Sequence, residues 1–315
     1  MSYFLGYDGG GTKTECLLLD ERGNLAGRGL AGPSNAVRVG FEPAFQNLRE
    51  AADQALSAAR VDARQVRGVC AGLAGAGSRR VVKRVMGFLV AVFPQADVHV
   101  TTDSAVALEA AAGEGPGVIL IAGTGSICMG RNAAGQTARA GGMGPWIGDE
   151  GSAFDVGRRA VIAVARARDA LAPVTLLSEM IPATLELSNW EAMIDSISAG
   201  PDKVFPQIFP VVVEAAELGD DAACEILFAA AMGLSGIASS VIRRLSLENE
   251  KFVLAKSGGV FGHSKLFDSA LDALLASTAH HAEIRQLSIS PALGAARWAM
   301  RLGAPQGKVV HGAKA

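Results

Sequence analysis

The chain of 315 residues has few cysteines, few aromatic residues and no excess of charge of either sign. Its four cysteines stand far apart without a C-x-x-C pair, which argues against a zinc ribbon or a disulfide framework and favours a reducing, cytoplasmic compartment. The 29 Lys and Arg against 31 Asp and Glu leave a net charge of −2, so the basic excess typical of nucleic-acid binding is absent. The five histidines form no metal-spaced group.

Long hydrophobic runs are also missing, with one exception at residues 226–242. This stretch carries no charge, but it is shorter than the roughly 20 apolar residues that cross a bilayer, and it contains two glycines and three serines. We therefore predict a buried helix packed through its small residues, and no membrane partner. The N-terminus has no basic start and Asp8 comes early, so we expect no signal peptide.

Half of the residues are hydrophobic, enough for a large core, and predicted strands alternate with helices, which indicates an α/β fold. Residues 113–117 hold three glycines and a proline and predict a boundary. A strand, glycine turn and strand from the first thirty residues recur after it. We expect two domains, 1–115 with about 290–315, and a more helical 116–289. The polar tail beyond Gly303 is expected to fray.

The first glycine turn carries the strongest chemical signal, reading D-G-G-G-T-K-T from Asp8 to Thr14. Glycines let backbone N–H groups approach phosphate oxygens closely, and the threonine hydroxyls would add donors. Asp8, at the end of a strand, would hold Mg²⁺ through water. The turn joins two strands, so it is neither a Walker nor a Rossmann loop. The alternative is a hairpin turn that needs glycine only for its own conformation.

Two later glycine turns are further candidates, G-T-G-S at 123–126 and K-S-G-G at 256–259. Two loops that face each other can hold a pair of phosphates from both sides, and the third turn offers bare backbone to a nucleoside. Each has a structural alternative, which is a simple turn at 123–126 and a strand-to-helix corner at 256–259.

Three polar side chains complete the candidates. Asp103 follows a predicted strand, where α/β folds place their sites, and its alternative is a helix N-cap, a position that Ser104 also suits. Asp149 begins a helix inside a glycine-rich stretch and has the same alternative. Asn35, in a G-P-S-N turn, is either a turn residue or a clamp on a substrate hydroxyl.

Together these segments resemble the N-acetylglucosamine kinase and BadF/BadG-type ATPase group of the sugar kinase, Hsp70 and actin superfamily. The resemblance extends from about residue 4 to residue 302, and G-D-E-G-S at 148–152 is its most specific piece. It implies two ribonuclease-H-like domains with a cleft between them. It also implies an enzyme that uses ATP and Mg²⁺ to phosphorylate an amino sugar, most specifically N-acetylglucosamine at its 6-hydroxyl.

The resemblance assigns a role to each candidate. Asp103 would be the base that accepts the proton of the sugar hydroxyl, and Asp8 would hold the metal. The sugar would be held by Asn35, Thr124, Gly142, Met143 and Asp149. ATP would be held by Gly9, Gly10, Gly11, Thr12, Lys13, Thr14, Gly123, Gly125, Ser126, Gly258 and Gly259.

One departure from the family pattern leaves the substrate open. The family reads G-G-W-G before G-D-E-G, whereas Met143 stands at the tryptophan position here and Trp146 comes three residues later. Glucosamine kinase is therefore an alternative. Another is an ATPase activator of a dehydratase, a dimer whose cysteines hold an iron–sulfur cluster, and Cys70 is the cysteine expected near a surface loop. A non-catalytic sugar sensor is the third, and a homodimer is compatible with each.

Overall fold

The structure is a computed structural model that describes residues 1–303. They form two compact units: unit one is Met1–Gly113 with the chain from Ser288 onward, and unit two is Glu114–Leu287. We propose that these units are the two domains expected from the sequence. The prediction that the tail beyond Gly303 frays lies outside the described residues.

Ten strands and eleven α-helices make up the described chain, with a short 3₁₀ turn at Ala63–Gln65. The strands are β1 (Tyr3–Gly9), β2 (Thr14–Asp20), β3 (Leu25–Ala31), β4 (Val66–Leu73), β5 (Asp97–Thr101), β6 (Gly117–Ala122), β7 (Ser126–Arg131), β8 (Thr137–Gly141), β9 (Phe252–Ser257) and β10 (Ala282–Gln286). The helices are α1 (Ala36–Val39), α2 (Phe41–Ala59), α3 (Arg79–Val92), α4 (Asp103–Ala112), α5 (Ala153–Arg168), α6 (Leu177–Thr184), α7 (Trp190–Ala199), α8 (Pro201–Glu217), α9 (Asp221–Arg244), α10 (Lys265–Thr278) and α11 (Pro291–Leu302).

Unit one is built on a five-stranded mixed sheet in the order β3-β2-β1-β4-β5. Strands β1 to β3 are antiparallel, and β1, β4 and β5 are parallel. The central strands β1 and β4 are apolar along most of their length because helices cover both faces of the sheet. Leu5, Val69 and, on α2, Leu48 are fully buried in the core of this unit. Because β1, β4 and β5 are parallel, their carboxyl ends lie at one edge of the sheet, where α/β folds place their sites.

Unit two repeats this topology in the order β10-β9-β6-β7-β8, with β6 to β8 antiparallel and β6, β9 and β10 parallel. The internal repeat that the sequence indicated is confirmed, and so is the α/β fold class. Helix α9 is the one helix among residues 1–303 that is long and apolar enough to cross a membrane. Its Leu227, Leu234 and Ile242 are buried in the core of unit two, as the sequence predicted.

Some helical limits in unit two differ from the sequence pattern for identifiable reasons. Helix α8 starts at Pro201, which suits the first helical turn because the backbone donor it lacks has no partner there, and it continues through Pro206 and Pro210. Helix α5 starts at Ala153 and not at Asp149, because Ser152 is its N-cap. Strand β8 is a short edge strand, T-A-R-A-G, which depends on pairing with β7 and not on its own strand propensity.

Candidate active site

The first glycine loop links β1 to β2 in unit one. The Gly10 N–H donates to the Lys13 carbonyl at 2.9 Å, which closes the hairpin. The Gly10 carbonyl accepts from the N–H groups of Ser34 and Asn35 at 3.1 and 3.2 Å. These bonds tie the loop to the start of α1, so the loop and the segment around Asn35 are held as one structural element.

The glycines of this loop differ in whether the fold requires them. A Cβ on Gly9 would lie 2.0 Å from Ser34 Oγ, so packing alone demands a glycine there. A Cβ on Gly10 would meet nothing closer than the Lys13 carbonyl at 3.7 Å, and the φ of Gly10 is not positive. The hairpin alternative therefore accounts for Gly9 but not for Gly10. Close approach of a ligand would explain why position 10 carries no side chain.

The hydroxyl-bearing residues of the loop face different environments. Thr12 and Lys13 are exposed at its tip. Thr14 is fully buried, and its Oγ1 is hydrogen-bonded to the Gly32 carbonyl at 2.7 Å and to Ser34 Oγ at 2.8 Å. This corrects the expectation that Thr14 contacts ATP, because its hydroxyl is already engaged inside unit one. Thr14 instead holds the neighbouring segment against the loop.

Asp103 is the first residue of α4, and it does not cap that helix. The N-cap is Thr102, whose Oγ1 accepts from the Ala105 N–H at 3.3 Å. The capping alternative for Asp103 and Ser104 is therefore wrong. Asp103 Oδ1 accepts from the Ser104 N–H at 2.8 Å, and the side chain is partly exposed.

Asp103 lies close enough to Asp8 in unit one for its charge to act on the Asp8 carboxylate. Burial is the main reason why the pKa of Asp8 rises from 3.8 to about 7. The charges of Asp103 and Glu15 raise this pKa further, while Lys13 opposes them. Glu15 is the direct register partner of Asp8 on β2, which accounts for its influence.

These carboxylates fit a Mg²⁺ ion. Mg²⁺ takes carboxylate oxygens and water, usually with one or two protein carboxylates and the phosphates of a substrate. A cation would also relieve the repulsion that raises the pKa of Asp8. Among residues 1–303, no three His, Cys, Asp or Glu side chains are grouped as metal ligands. An ion held by Asp8 would therefore complete its coordination with water and phosphate oxygens.

We predict that Asp8→Asn stabilises the ligand-free protein above pH 7. Native Asp8 keeps its proton to about pH 7, whereas the unfolded carboxyl loses it near pH 4. Between these values the folded state binds more protons, so the free energy of unfolding of the wild type falls as pH rises. Asparagine does not titrate and escapes this loss.

Urea unfolding of both proteins at pH 4 and pH 8 measures the effect. The stability of Asp8→Asn relative to the wild type should increase between the two pH values by on the order of 1 kcal/mol, after allowance for solvent screening. A difference that stays constant with pH would contradict the raised pKa of Asp8.

The second glycine loop links β6 to β7 in unit two. The Gly123 N–H donates to the Gly125 carbonyl at 2.9 Å, and Thr124 is exposed at the tip. The carbonyls of Gly123 and Thr124 accept from the N–H groups of Ala153 and Phe154 at 2.9 and 3.4 Å. The loop is thus fixed against the first turn of α5.

Asp149 has an unusual backbone conformation beside this loop. Its φ is 64°, in the left-handed region that non-glycine residues rarely adopt, and its side chain is largely buried. Asp149 Oδ1 accepts from the Ser126 N–H at 3.2 Å, and a Cβ on Gly125 would lie 2.7 Å from Asp149 Oδ2. Ser152 and not Asp149 caps α5. Because Asp149 has a strained backbone and does not serve as a helix cap, we consider a functional role for its carboxylate.

Ser126, the first residue of β7, is hydrogen-bonded to both Asp149 and Glu150. Its buried hydroxyl donates to the Glu150 carbonyl at 2.8 Å, while its N–H holds the carboxylate. This corrects the expectation that Ser126 binds ATP, because both of its donors are used to position residues 149 and 150. Burial also raises the pKa of Asp149, and the Ser126 N–H partly offsets that rise.

The third turn follows β9, and here too the fold requires one glycine but not the other. Gly258 has a φ of 117°, and a Cβ there would lie 2.1 Å from the Ala122 carbonyl, so the fold requires glycine. Gly259 has no heavy atom within 4 Å of where a Cβ would stand. It lines a cavity of about 170 Å³ with Phe209 and His263, and the other lining residues are Pro210 and Val213.

The sequence pattern indicates Gly259 but not Phe209 or His263. Phe209 lies on α8, some 50 positions away in the chain, and only the tertiary fold brings it to the turn. A proline pair within an apolar helix is the one local feature that sets this segment apart.

The remaining sugar candidates lie in two places. In unit one, Asn35 is the N-cap of α1, and its Oδ1 accepts from the Val37 N–H at 3.1 Å, so the oxygen of its side chain serves the turn. Its amide nitrogen keeps two protons to donate. In unit two, Gly142 has a positive φ, Met143 is 60% exposed and Trp146 is 74% exposed. This loop presents large apolar side chains to solvent near Asp149.

Similarity to known proteins covers nearly the whole chain. An N-acetyl-D-glucosamine kinase from Dictyostelium discoideum is 30% identical over 311 residues, 94% of this chain and 97% of the relative. An N-acetylmuramic acid/N-acetylglucosamine kinase from Clostridium acetobutylicum is 32% identical over 265 residues, 84% of this chain and 87% of the relative. The crystal structure of a proposed N-acetylglucosamine kinase from Chromobacterium violaceum has a TM-score of 0.74 at 25% identity, over 96% of this chain and 99% of that one.

The model of one protein family matches residues 5–299, which include all the candidate site residues. The match agrees with the resemblance carried by the glycine loops and by the G-D-E-G-S segment. The chain therefore belongs to the BadF/BadG/BcrA/BcrD ATPase family.

Proposed function

We propose that this protein is an ATP-dependent hexosamine kinase that phosphorylates the 6-hydroxyl of N-acetylglucosamine. The observation that carries the proposal is a pair of carboxylates at one edge of the sheet beside a glycine loop, Asp8 near the end of β1 and Asp103 just after β5. Asp103 is not used as a helix cap, and Gly10 is not required by the fold. The names of the two curated relatives, both kinases of amino sugars, agree with this reading.

Phosphoryl transfer asks a protein mainly for positioning and for neutralisation of charge. In our proposal Asp103 accepts the proton of the sugar hydroxyl while the oxygen of that hydroxyl forms its bond to the γ-phosphorus. The bond from that phosphorus to the bridging oxygen breaks, and ADP leaves with the electron pair. Asp8 would hold Mg²⁺, which when bound offsets the charge of the β- and γ-phosphate oxygens.

The glycine loops take the phosphates and the nucleoside in this proposal. Backbone atoms and exposed side chains would contact ATP at Gly9, Gly10, Gly11, Thr12, Lys13, Gly123, Gly125, Gly258 and Gly259, and at Gly10 and Gly123 the contribution is the open space without a side chain, because their own N–H groups bond within the loops. The open position at Gly259 and the cavity beside it suit a flat nucleobase. Thr14 and Ser126 are supporting residues and not ligands.

The sugar is assigned to the exposed and strained groups described above. Asn35 would donate through its amide nitrogen, and Thr124 and Asp149 would hydrogen-bond sugar hydroxyls, with Gly142 and Met143 beside them. A site built on such bonds rejects ligands that lack the hydroxyl. Because Met143 stands where the family has tryptophan, glucosamine is the second candidate substrate.

The dehydratase-activator alternative loses its sequence support. We expected Cys70 near a surface loop, but it lies in the central strand β4 and is fully buried. Burial, aided by the Glu109 carboxylate, raises the pKa of Cys70 to about 12, so the thiolate that a cluster needs is disfavoured.

A cytoplasmic location and a homodimer are part of the proposal. All four cysteines are free, as expected in a reducing compartment. The exposed apolar side chains Ile162, Val174 and Leu176 line one groove of unit two, which is a candidate for contact with a second copy. Size-exclusion chromatography with light scattering measures the oligomeric state.

The test of the function is a panel of hexoses and hexosamines incubated with Mg-ATP while ADP release is followed. We expect the highest kcat/KM with N-acetylglucosamine and little ADP release without sugar. A preference for glucosamine would favour the second candidate. A rate of ADP release that no sugar increases would contradict the proposed kinase activity. Tight sugar binding without any ATP turnover would favour the sensor alternative.

A further inference from the structure

Arg38 lies directly over the first glycine loop. A Cβ on Gly11 would lie 3.1 Å from Arg38 Nη1 and 3.5 Å from Arg38 Cδ, so the arginine side chain runs along the bare face of this glycine. Arg38 is exposed and belongs to the last turn of α1. Because the Gly10 carbonyl binds the N–H groups of Ser34 and Asn35, α1 is anchored to the loop that its arginine covers.

The guanidinium of Arg38 makes no hydrogen bond, ion pair or ring contact within residues 1–303. Some arginines of unit one are paired, such as Arg28 with Glu15 at 2.7 Å, while Arg22 and Arg60 make no side-chain bond among the described residues, so the position over Gly11 is what distinguishes Arg38. An arginine keeps its charge at any physiological pH, and its planar fork matches the oxygens of phosphates and carboxylates. A cation without a partner over a glycine loop is therefore arranged to meet an anionic ligand.

We propose that Arg38 binds the terminal phosphate group of the bound nucleotide, a proposal that rests on the proposed function. Two anionic groups could meet a guanidinium here, the γ-phosphate of ATP and a carboxylate carried by a sugar. The position over Gly11 favours the phosphate, because Gly11 belongs to the loop whose open backbone is suited to phosphate oxygens. The γ-phosphate also carries the charge that develops during transfer, which Arg38 stabilises.

The test uses Arg38→Ala and Arg38→Lys, with Arg22→Ala as a matched control. Arg22 is an exposed arginine in the turn at the other end of β2, about 20 Å from the loop by strand length. Calorimetry measures the affinity for Mg-ADP and for the Mg complex of a non-hydrolysable ATP analogue. Thermal unfolding confirms that each variant is folded.

We expect Arg38→Ala to lose at least tenfold affinity for the ATP analogue and less than threefold for ADP. Arg38→Lys should recover part of the loss, because it restores the charge but not the fork. Arg22→Ala should bind both nucleotides as the wild type does. In the kinase assay, kcat for N-acetylglucosamine should fall by roughly ten- to a hundredfold in Arg38→Ala, less than the loss of an arginine finger causes in other phosphoryl-transfer enzymes, because Arg38 is exposed.

Three outcomes would overturn the assignment to the γ-phosphate: equal losses for both nucleotides, unchanged binding, or a loss confined to the KM for N-acetylmuramic acid, which carries a carboxylate. The last result would place Arg38 at the sugar. Failure of the proposed function is distinguishable, because a wild type that phosphorylates no sugar still permits the two nucleotide affinities to be compared.

Discussion

Asp103→Asn should reduce phosphoryl transfer by about 10²–10⁴-fold in kcat, the range that a general base contributes. Asparagine keeps the shape of the side chain and the bond to the Ser104 N–H, but it cannot accept the proton of the sugar hydroxyl. The helix is unaffected because Thr102 caps it. Affinity for Mg-ADP, measured by calorimetry, should remain within about threefold of the wild-type value, a change of under 1 kcal/mol.

The matched control is Asp97→Asn, an exposed aspartate at the opposite end of β5. This variant should keep wild-type kcat. Asp103→Asn has a second signature, because the Asp103 charge helps to raise the pKa of Asp8. Removing that charge should move the titration of Asp8 to lower pH. Full activity in Asp103→Asn would rule out Asp103 as the base.

Gly10→Ala should leave the protein folded and lower its affinity for nucleotide by at least tenfold, or about 1.4 kcal/mol. The nearest atom to a Cβ at position 10 is 3.7 Å away and the φ is not positive, so the fold tolerates alanine. The methyl group would occupy the space through which a phosphate oxygen reaches the backbone N–H groups. Calorimetry with Mg-ADP and thermal unfolding together measure both effects.

Gly9→Ala is the informative partner of this variant. Its Cβ would stand 2.0 Å from Ser34 Oγ and 2.5 Å from a methyl carbon of Leu73, so overpacking should destabilise unit one by about 1–3 kcal/mol. Adjacent glycines would thus separate a structural role from a ligand-binding role. A Gly10→Ala protein with wild-type nucleotide affinity would return the loop to the hairpin interpretation.

Local signals in the sequence were sufficient for much of the fold. The strand, glycine turn and strand expected in the first thirty residues are β1, the loop after it and β2, because apolar runs bounded by glycine and turn residues define them. The repeat of strand, glycine turn and strand corresponds to two sheets of the same topology. Strand β8 could not be predicted in this way, because an edge strand forms through its neighbour's unpaired backbone groups.

In the candidate site, too, local sequence indicates some residues, while the roles of others depend on tertiary packing. Residue types and positions in the chain identified Asp8, Asp103 and Asp149, but they did not show where hydroxyls point. Thr14 and Ser126 bind protein groups that lie 18 and 24 positions further along the chain, so their engagement depends on tertiary packing. The sequence offered Asp103 and Ser104 as N-caps of α4, whereas the backbone angles place the cap one residue earlier, at Thr102. Arg38 could not be singled out, because its position over Gly11 follows from the bonds that anchor α1.

Whether the γ-phosphoryl group reaches a sugar or only water is the most direct test of the account. Purified protein, Mg-ATP labelled in the γ-phosphate and N-acetylglucosamine would be incubated together, and the label would be counted in sugar phosphate and in free phosphate. We predict one sugar phosphate for each ADP formed, with the phosphate on the 6-oxygen. Label that appears only as free phosphate, at a rate independent of the sugar, would contradict the proposal.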